Sequence, residues 1–170
     1  TLDADCSGQQ KCPSILASLR RDVQRYTDIH SIARTLQEYA VSHKFCQNAP
    51  ETACSSSSQC PRGGSCVGYY PSIASGSYVR GMSTSQWPSW QEAFRSTITR
   101  QPLPTDPINR FGDCGGTSYD PTTCWDTAAQ KFSCPVNSPV YIYQVKGGSA
   151  YTLAASLETV ARSVYSWPVE

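Results

Sequence analysis

Long apolar runs are missing from this sequence: no stretch approaches the roughly 18 consecutive apolar residues of a membrane-spanning helix. An excess of one charge is missing too. Fourteen Lys+Arg stand against 13 Asp+Glu, a net charge of +1 with no basic block, so no field steers a polyanion to the chain and nucleic acid is not expected as a partner. There is no Gly-x-Ser-x-Gly elbow, no HExxH and no phosphate-binding glycine loop, and the two histidines, His30 and His43, lie away from the cysteines on one predicted helix. No catalysis is therefore expected. No pair of cysteines has CxxC spacing, so zinc or haem ligation has no motif to support it. An N-glycosylation acceptor is absent, because Asn137-Ser138 is followed by proline, which suits a bacterial secreted protein better than a eukaryotic one.

Cysteine itself is plentiful. Nine residues, Cys6, Cys12, Cys46, Cys54, Cys60, Cys66, Cys114, Cys124 and Cys134, are too many for a reduced cytosolic domain, so disulfides and an extracytoplasmic compartment are expected. Four of them, Cys46, Cys54, Cys60 and Cys66, are expected to pair among themselves, in one of the three ways that four cysteines allow. Two of Cys114, Cys124 and Cys134 are expected to pair, and Cys6 with Cys12; the odd count leaves one thiol over. At 170 residues the chain fits one domain with a real core, so the bonds would reinforce a fold rather than replace one.

Periodicity divides that domain. A polar leader occupies residues 1–12, and Pro13 suits the first turn of a helix over residues 13–44. Ile15, Leu16, Leu19, Val23, Tyr26, Ile29, Ala33, Leu36 and Ala40 recur in steps of three and four, predicting one apolar stripe for packing or assembly. Arg20, Arg21, Gln24, Arg25, Asp28, Arg34, Gln37 and Glu38 are assigned to the opposite, solvated face. Such a helix would span roughly 45 Å against a domain core nearer 30 Å across, so one end is expected to project or to meet a partner.

Residues 45–85 lose periodicity and read as a Cys/Ser-rich irregular loop, open to a contact or adhesion role. A short helix and a turn-rich region follow over residues 86–137. Ser89-Trp90-Gln91-Glu92 has the form of a capping box, and Trp90, Phe94 and Ile98 recur as one edge of a helix over residues 89–99. Asp106, Asn109, Asp113 and Asp120 are oxygen donors in this region, but without EF-hand order. No cofactor is expected from them. Over residues 138–158 two strand-like runs flank Gly147-Gly148, predicting an antiparallel hairpin with a two-residue turn; a tail covers residues 159–170.

Three of these segments together resemble type IV pilin-like proteins, including the pseudopilins of type II secretion. In the helix, Asp28, Ile29, Ile32, Leu36 and Tyr39 match the family's spacing. The second segment is LPxDP at Leu103, Pro104, Asp106 and Pro107, and the third is the closing run Tyr151, Leu153, Ala155, Leu157 and Glu158. The resemblance covers the helix and the second half of the chain, and residues 45–85 have no counterpart in it.

It implies an α+β fold with a long N-terminal α-helix packed on a small C-terminal antiparallel β-sheet and disulfide-pinned loops. It also implies a filament subunit, a pilin or pseudopilin, at the cell surface, and, because some pseudopilins bind calcium near the C-terminal sheet, it makes calcium the one candidate ion for Asp106, Asn109, Asp113 and Asp120. The implied partners are copies of itself, other pilin-like subunits and an inner-membrane assembly machinery reached through a hydrophobic N-terminal anchor. The first twelve residues are polar where that anchor would be, with no prepilin-type cleavage site, so either the anchor has been removed, which is the expectation, or the chain is a divergent relative. A soluble secreted binding or adhesion module, or a minor tip subunit, using the loop from residue 46 to 85 is the alternative.

Overall fold

The computed structural model describes residues 15–135 and 138–159, together with the backbone path of 164–168. The leader, Cys6, Cys12 and Pro13 lie outside the described residues.

Helix α1 runs from Ile15 to Ser42. It contains no proline or glycine, and its 28 residues reach about 42 Å at 1.5 Å per residue. Where it ends, the His43 amide still donates to the Tyr39 carbonyl, and the His43 ring stacks on Tyr39 with centroids 3.8 Å apart.

The segment expected to be an irregular loop contains a sheet. Strands β1 (Lys44–Cys46), β2 (Ala49–Ala53) and β3 (Cys66–Gly68) form an antiparallel sheet in the order β2-β1-β3. Strands this short and half-exposed show no alternation that a sequence pattern could register. Covalent bonds stand in for a hydrophobic face: Cys46 is bonded to Cys60 and Cys54 to Cys66. At Gly68 a Cβ would sit 2.9 Å from the Ala40 Cβ, so the absence of a side chain lets β3 lie against the last turns of α1.

The main sheet has the order β4-β7-β8-β9, built from β4 (Met82–Thr84), β7 (Ile142–Lys146), β8 (Ala150–Ser156) and β9 (Val164–Pro168), all antiparallel. The predicted hairpin is β7-β8, but its pairing closes at Lys146 with Ala150, so the turn holds three residues rather than two. The stretch expected to be a tail supplies the backbone of β9. A separate ribbon pairs β5 (Trp125–Asp126) with β6 (Lys131–Phe132).

Alternation along β7 and β8 divides the interior in two. Tyr143, Tyr151, Leu153 and Ala155 face Ile29, Ile32, Ala33 and Leu36 of α1 together with Trp90 and Phe94. On the other side Ile142 packs against Met82, Trp87, Phe111 and Val140, next to the Cys114–Cys124 disulfide.

The short helix differs from its expectation. It begins as a π-turn over Trp90–Phe94 and becomes helix α2 only at Arg95–Ile98. Ser89 is already helical, with φ −56° and ψ −24°, and makes no cap; its buried hydroxyl is 2.6 Å from that of Ser83. The capping box fails because the serine is spent on the sheet. The wide π-turn lets Trp90 donate to the Pro104 carbonyl at 3.0 Å while Phe94 stacks on Tyr143.

The hairpin turn is intolerant of side chains at one glycine and not the other. Both Gly147 and Gly148 have positive φ, but a Cβ at Gly148 would come within 2.2 Å of the Tyr69 ring, whereas Gly147 faces open space. Gly148→Ala is expected to destabilise the fold by about 2–4 kcal/mol, and Gly147→Ala by about 1 kcal/mol. Urea unfolding of the two variants side by side measures the difference.

Candidate functional site

The N-terminal half of α1 is turned against its own apolar pattern. From Ile29 onward the stripe is buried as expected, with Ile29, Ala33, Leu36 and Ala40 in the core. Before it, Ile15, Leu16, Leu19, Val23 and Tyr26 are exposed, Val23 to 66%. The buried face there is Ser18, Asp22, Arg25 and Asp28, so Arg25 and Asp28, assigned by sequence to a solvated face, are enclosed.

Arg25 is the centre of this inversion, with a side chain that is 0% exposed. Its guanidinium donates from Nε to Asp106 Oδ2 at 2.6 Å and from Nη2 to Asp106 Oδ1 at 3.1 Å, a forked contact. From Nη1 it donates to Asp22 Oδ1 at 2.8 Å and to Glu158 Oε1 at 2.6 Å. Arg21 closes the outer side, donating to Glu158 Oε1 at 2.8 Å and to Oε2 at 2.5 Å.

The carboxylates are themselves held by backbone. Asp22 accepts from the amides of Glu158 and Thr159 and from the Thr159 hydroxyl at 2.6 Å, which ties the end of β8 to the helix. Asp106 also accepts from the Ile108 and Asn109 amides, fixing the turn after Leu103. One turn further along α1, Asp28 accepts from the buried Tyr141 hydroxyl at 2.7 Å and from Gln24.

These bonds set the ionisation. Hydrogen bonds from Arg21 hold the Glu158 carboxyl down against the opposing effect of its burial, and with Arg25 they bring it to about 2. For Asp22, burial pushes the carboxyl up, but the Thr159 and Glu158 donors and Arg25 outweigh it and leave it below the usual range. Burial alone would lower the Arg25 guanidinium; its bonds to Asp106 and Glu158 reverse that and raise it. Burial raises the Tyr141 phenol, and its bond to Asp28 adds to the effect.

Helix, LPxDP turn and closing segment therefore meet at one side chain. Asp106 and Glu158 lie 81 and 133 residues from Arg25 in the chain, and no local pattern links them. The sequence signal that could have exposed the cluster was the coincidence of an Asp, an Arg and an Asp at helical spacing, Asp22, Arg25 and Asp28, on the face opposite the stripe.

The four candidate calcium donors do not converge. Asp106 is committed to Arg25, Asn109 exchanges bonds with Ser85, Asp113 caps the Gly115 amide, and Asp120 caps the turn at Thr122 and Thr123. Each is turn chemistry of its own kind. Cys114 is bonded to Cys124, and Cys134 is a free, exposed thiol. His30 lies against Tyr26, with ring centroids 4.1 Å apart. Two open surface clefts, of about 540 and 420 Å³, run beside α1, one at Thr27, Ser31 and Arg34 and one between Tyr39 and the strap from Pro71 to Ser75.

The arrangement presents an apolar ridge outward while a charge cluster grips the opposite side of the same three turns. Compared with protein-family models, with curated proteins and with solved structures, the chain matches none of them.

Arg25→Leu is expected to cost about 3–5 kcal/mol, because it leaves the buried carboxylates of Asp22 and Asp106 without their cation. Chemical denaturation at pH 7 checks this, with Arg34→Leu on the exposed helix face as the near-neutral control. Acid gives a second expectation. The folded-state values of Glu158 and Asp22 lie below their unfolded ones, so their stabilisation is complete above about pH 4.5 and is lost as pH falls toward 2. For Glu158 the loss is on the order of 2 kcal/mol after allowance for solvent screening. Denaturation midpoints from pH 6 to pH 2 should fall more steeply in the parent chain than in Glu158→Gln.

Proposed function

We propose that this chain is a structural subunit, a pilin or pseudopilin, of an extracellular type IV pilus-like or secretion-system filament that assembles through its N-terminal helix. The carrying observation is the exposed ridge of Ile15, Leu16, Leu19, Val23 and Tyr26 on a helix whose other face is locked by Arg25. Five large apolar side chains along three turns form a continuous patch, which is an interaction surface rather than scattered surface apolarity. Head-to-tail contacts along such a ridge produce open helical polymers rather than closed rings.

Further support comes from the motifs of the resemblance. Asp28, Asp106 and Glu158, drawn from its three separate segments, lie around Arg25 and Tyr141 in one cluster. In the proposed subunit that cluster keeps the ridge facing its neighbours while the sheet and its disulfides face the medium. The partners are copies of the chain and related subunits, the location is the cell surface, and assembly is staged at the inner membrane through a hydrophobic anchor upstream of Thr1.

A second reading, a secreted binding module or tip subunit, is favoured by a different observation: residues 44–68 form a doubly cross-linked sheet standing at the far end of α1 from the ridge. The two readings part in one experiment. Val23→Glu and Leu19→Glu, introduced into the native gene, should leave monomer stability within about 0.5 kcal/mol, since both sites are exposed. They should also abolish recovery of the protein in sheared surface filaments. Filaments that form normally with both charges in place would overturn the subunit reading. Surface or ligand binding by the monomer that disappears on deleting residues 50–80 would establish the second.

A further inference from the structure

Cys46, Cys54, Cys60 and Cys66 gather at one corner of the three-stranded sheet. Cys46 in β1 lies directly across from Cys66 in β3, yet the covalent bonds run to other partners, Cys46 to Cys60 and Cys54 to Cys66. The two disulfides are therefore neighbours. The sulfur atoms of Cys46, Cys54 and Cys60 lie within 4.8 Å of one another, and that of Cys66 is 2.04 Å from Cys54. Cys46 is fully enclosed and Cys60 is 8% exposed, while Cys54 and Cys66 are half-buried.

Three convergent sulfurs, with a fourth attached to one of them, are a donor set once the covalent bonds are reduced. A tetrahedral zinc ion with Zn–S bonds of about 2.3 Å requires sulfurs about 3.8 Å apart. The sulfurs of Cys46, Cys54 and Cys60 already lie within 4.8 Å of one another, while Cys66, paired across from Cys46 in the sheet, stands outside that set and would swing in once its bond to Cys54 is reduced. The ligand spacing, seven, five and five residues between successive cysteines, resembles no zinc knuckle, because strand pairing rather than a local turn brings the four together.

We propose that the reduced chain binds one soft d¹⁰ cation, zinc, as a tetrathiolate at Cys46, Cys54, Cys60 and Cys66, and that the two disulfides are the metal-free oxidised form of the same site. Binding converts four thiols to thiolates and releases four protons, leaving the site with a charge of −2 around the ion. Lys44 and Arg62, two residues from Cys46 and Cys60, place positive charge in the same segment. Oxidation by two molecules of a disulfide oxidant takes two electrons from each pair of thiolates, converts each oxidant to a dithiol with two protons taken from solvent, and expels the ion. The reverse needs a dithiol reductant and the cation. In either state β1, the end of β2 and β3 are cross-linked at one point, so the metal would hold this corner together in a chain not yet oxidised. The site stands on residues 44–68 alone and is independent of the filament reading.

The test uses the full chain reduced with a phosphine under argon, with Cd²⁺ and then Zn²⁺ as probes. Native mass spectrometry should find one ion per chain, and the cadmium–thiolate charge-transfer absorption should saturate at one equivalent. Cys46→Ser and Cys66→Ser should each weaken binding by at least about 100-fold, and the double variant Cys114→Ser/Cys124→Ser should leave it unchanged. Zinc should also restore amide-exchange protection over residues 44–68 of the reduced chain. Binding that survives Cys46→Ser, or that is lost with Cys114 and Cys124, would overturn the proposal. So would binding without recovered protection, which is chelation by an unfolded segment, and so would no binding at all.

Discussion

A buried arginine decides how this molecule is put together. Burial without partners would cost Arg25 several kcal/mol, and the fold meets that cost with a forked bond to Asp106 and single bonds to Asp22 and Glu158. Those carboxylates come from the helix itself, from the turn after Leu103 and from the end of β8, so satisfying one guanidinium brings three parts of the chain to fixed positions. A buried ion network adds little net stability over a well-packed apolar substitute. Its effect here is specificity: it selects which side of α1 faces inward over the first three turns, and the hydrophobic effect alone would select the other.

That selection divides the helix into two halves that differ in what they bury. From Ile29 to Ala40 α1 behaves as an ordinary amphipathic helix, laying aliphatic side chains on the tyrosines and leucine of β7 and β8. From Ile15 to Tyr26 it carries its apolar residues outward on a scaffold held by charge. The exposed ridge costs hydration free energy in the isolated domain, on the order of 25 cal/mol for each Å² of apolar surface left in water. A partner covering it would recover that energy, which is the physical reason to connect the ridge with assembly.

The disulfides act on a different scale. The 44–68 sheet has three short strands and little apolar surface of its own, and two cross-links restrict its unfolded alternatives where packing could not. Cys114–Cys124 borders the second core instead, where Trp87, Phe111 and Val140 already bury surface, so it reinforces packing that is present. One kind of bond thus serves two purposes, set by what surrounds it.

Sequence by itself determined the elements whose periodicity is strong and local. The long helix, the β7-β8 hairpin with its glycine turn, the α+β class and, among the described residues, the grouping of cysteine pairs within 46–66 and within 114–134 all follow from spacing and turn chemistry over a few dozen residues. Tertiary structure alone decided the rest. The rotation of α1 depends on Asp106 and Glu158, which sit 81 and 133 residues from Arg25, and a hydrophobic pattern scores Arg25 as solvated because it cannot register distant carboxylates. The small sheet within 44–68 was hidden because disulfides, not alternating side chains, hold its strands together. Ser89 lost its cap because its hydroxyl met Ser83 from a strand it could not anticipate. Local pattern reports what a segment prefers in isolation, and buried polar groups obey whichever partners the fold delivers.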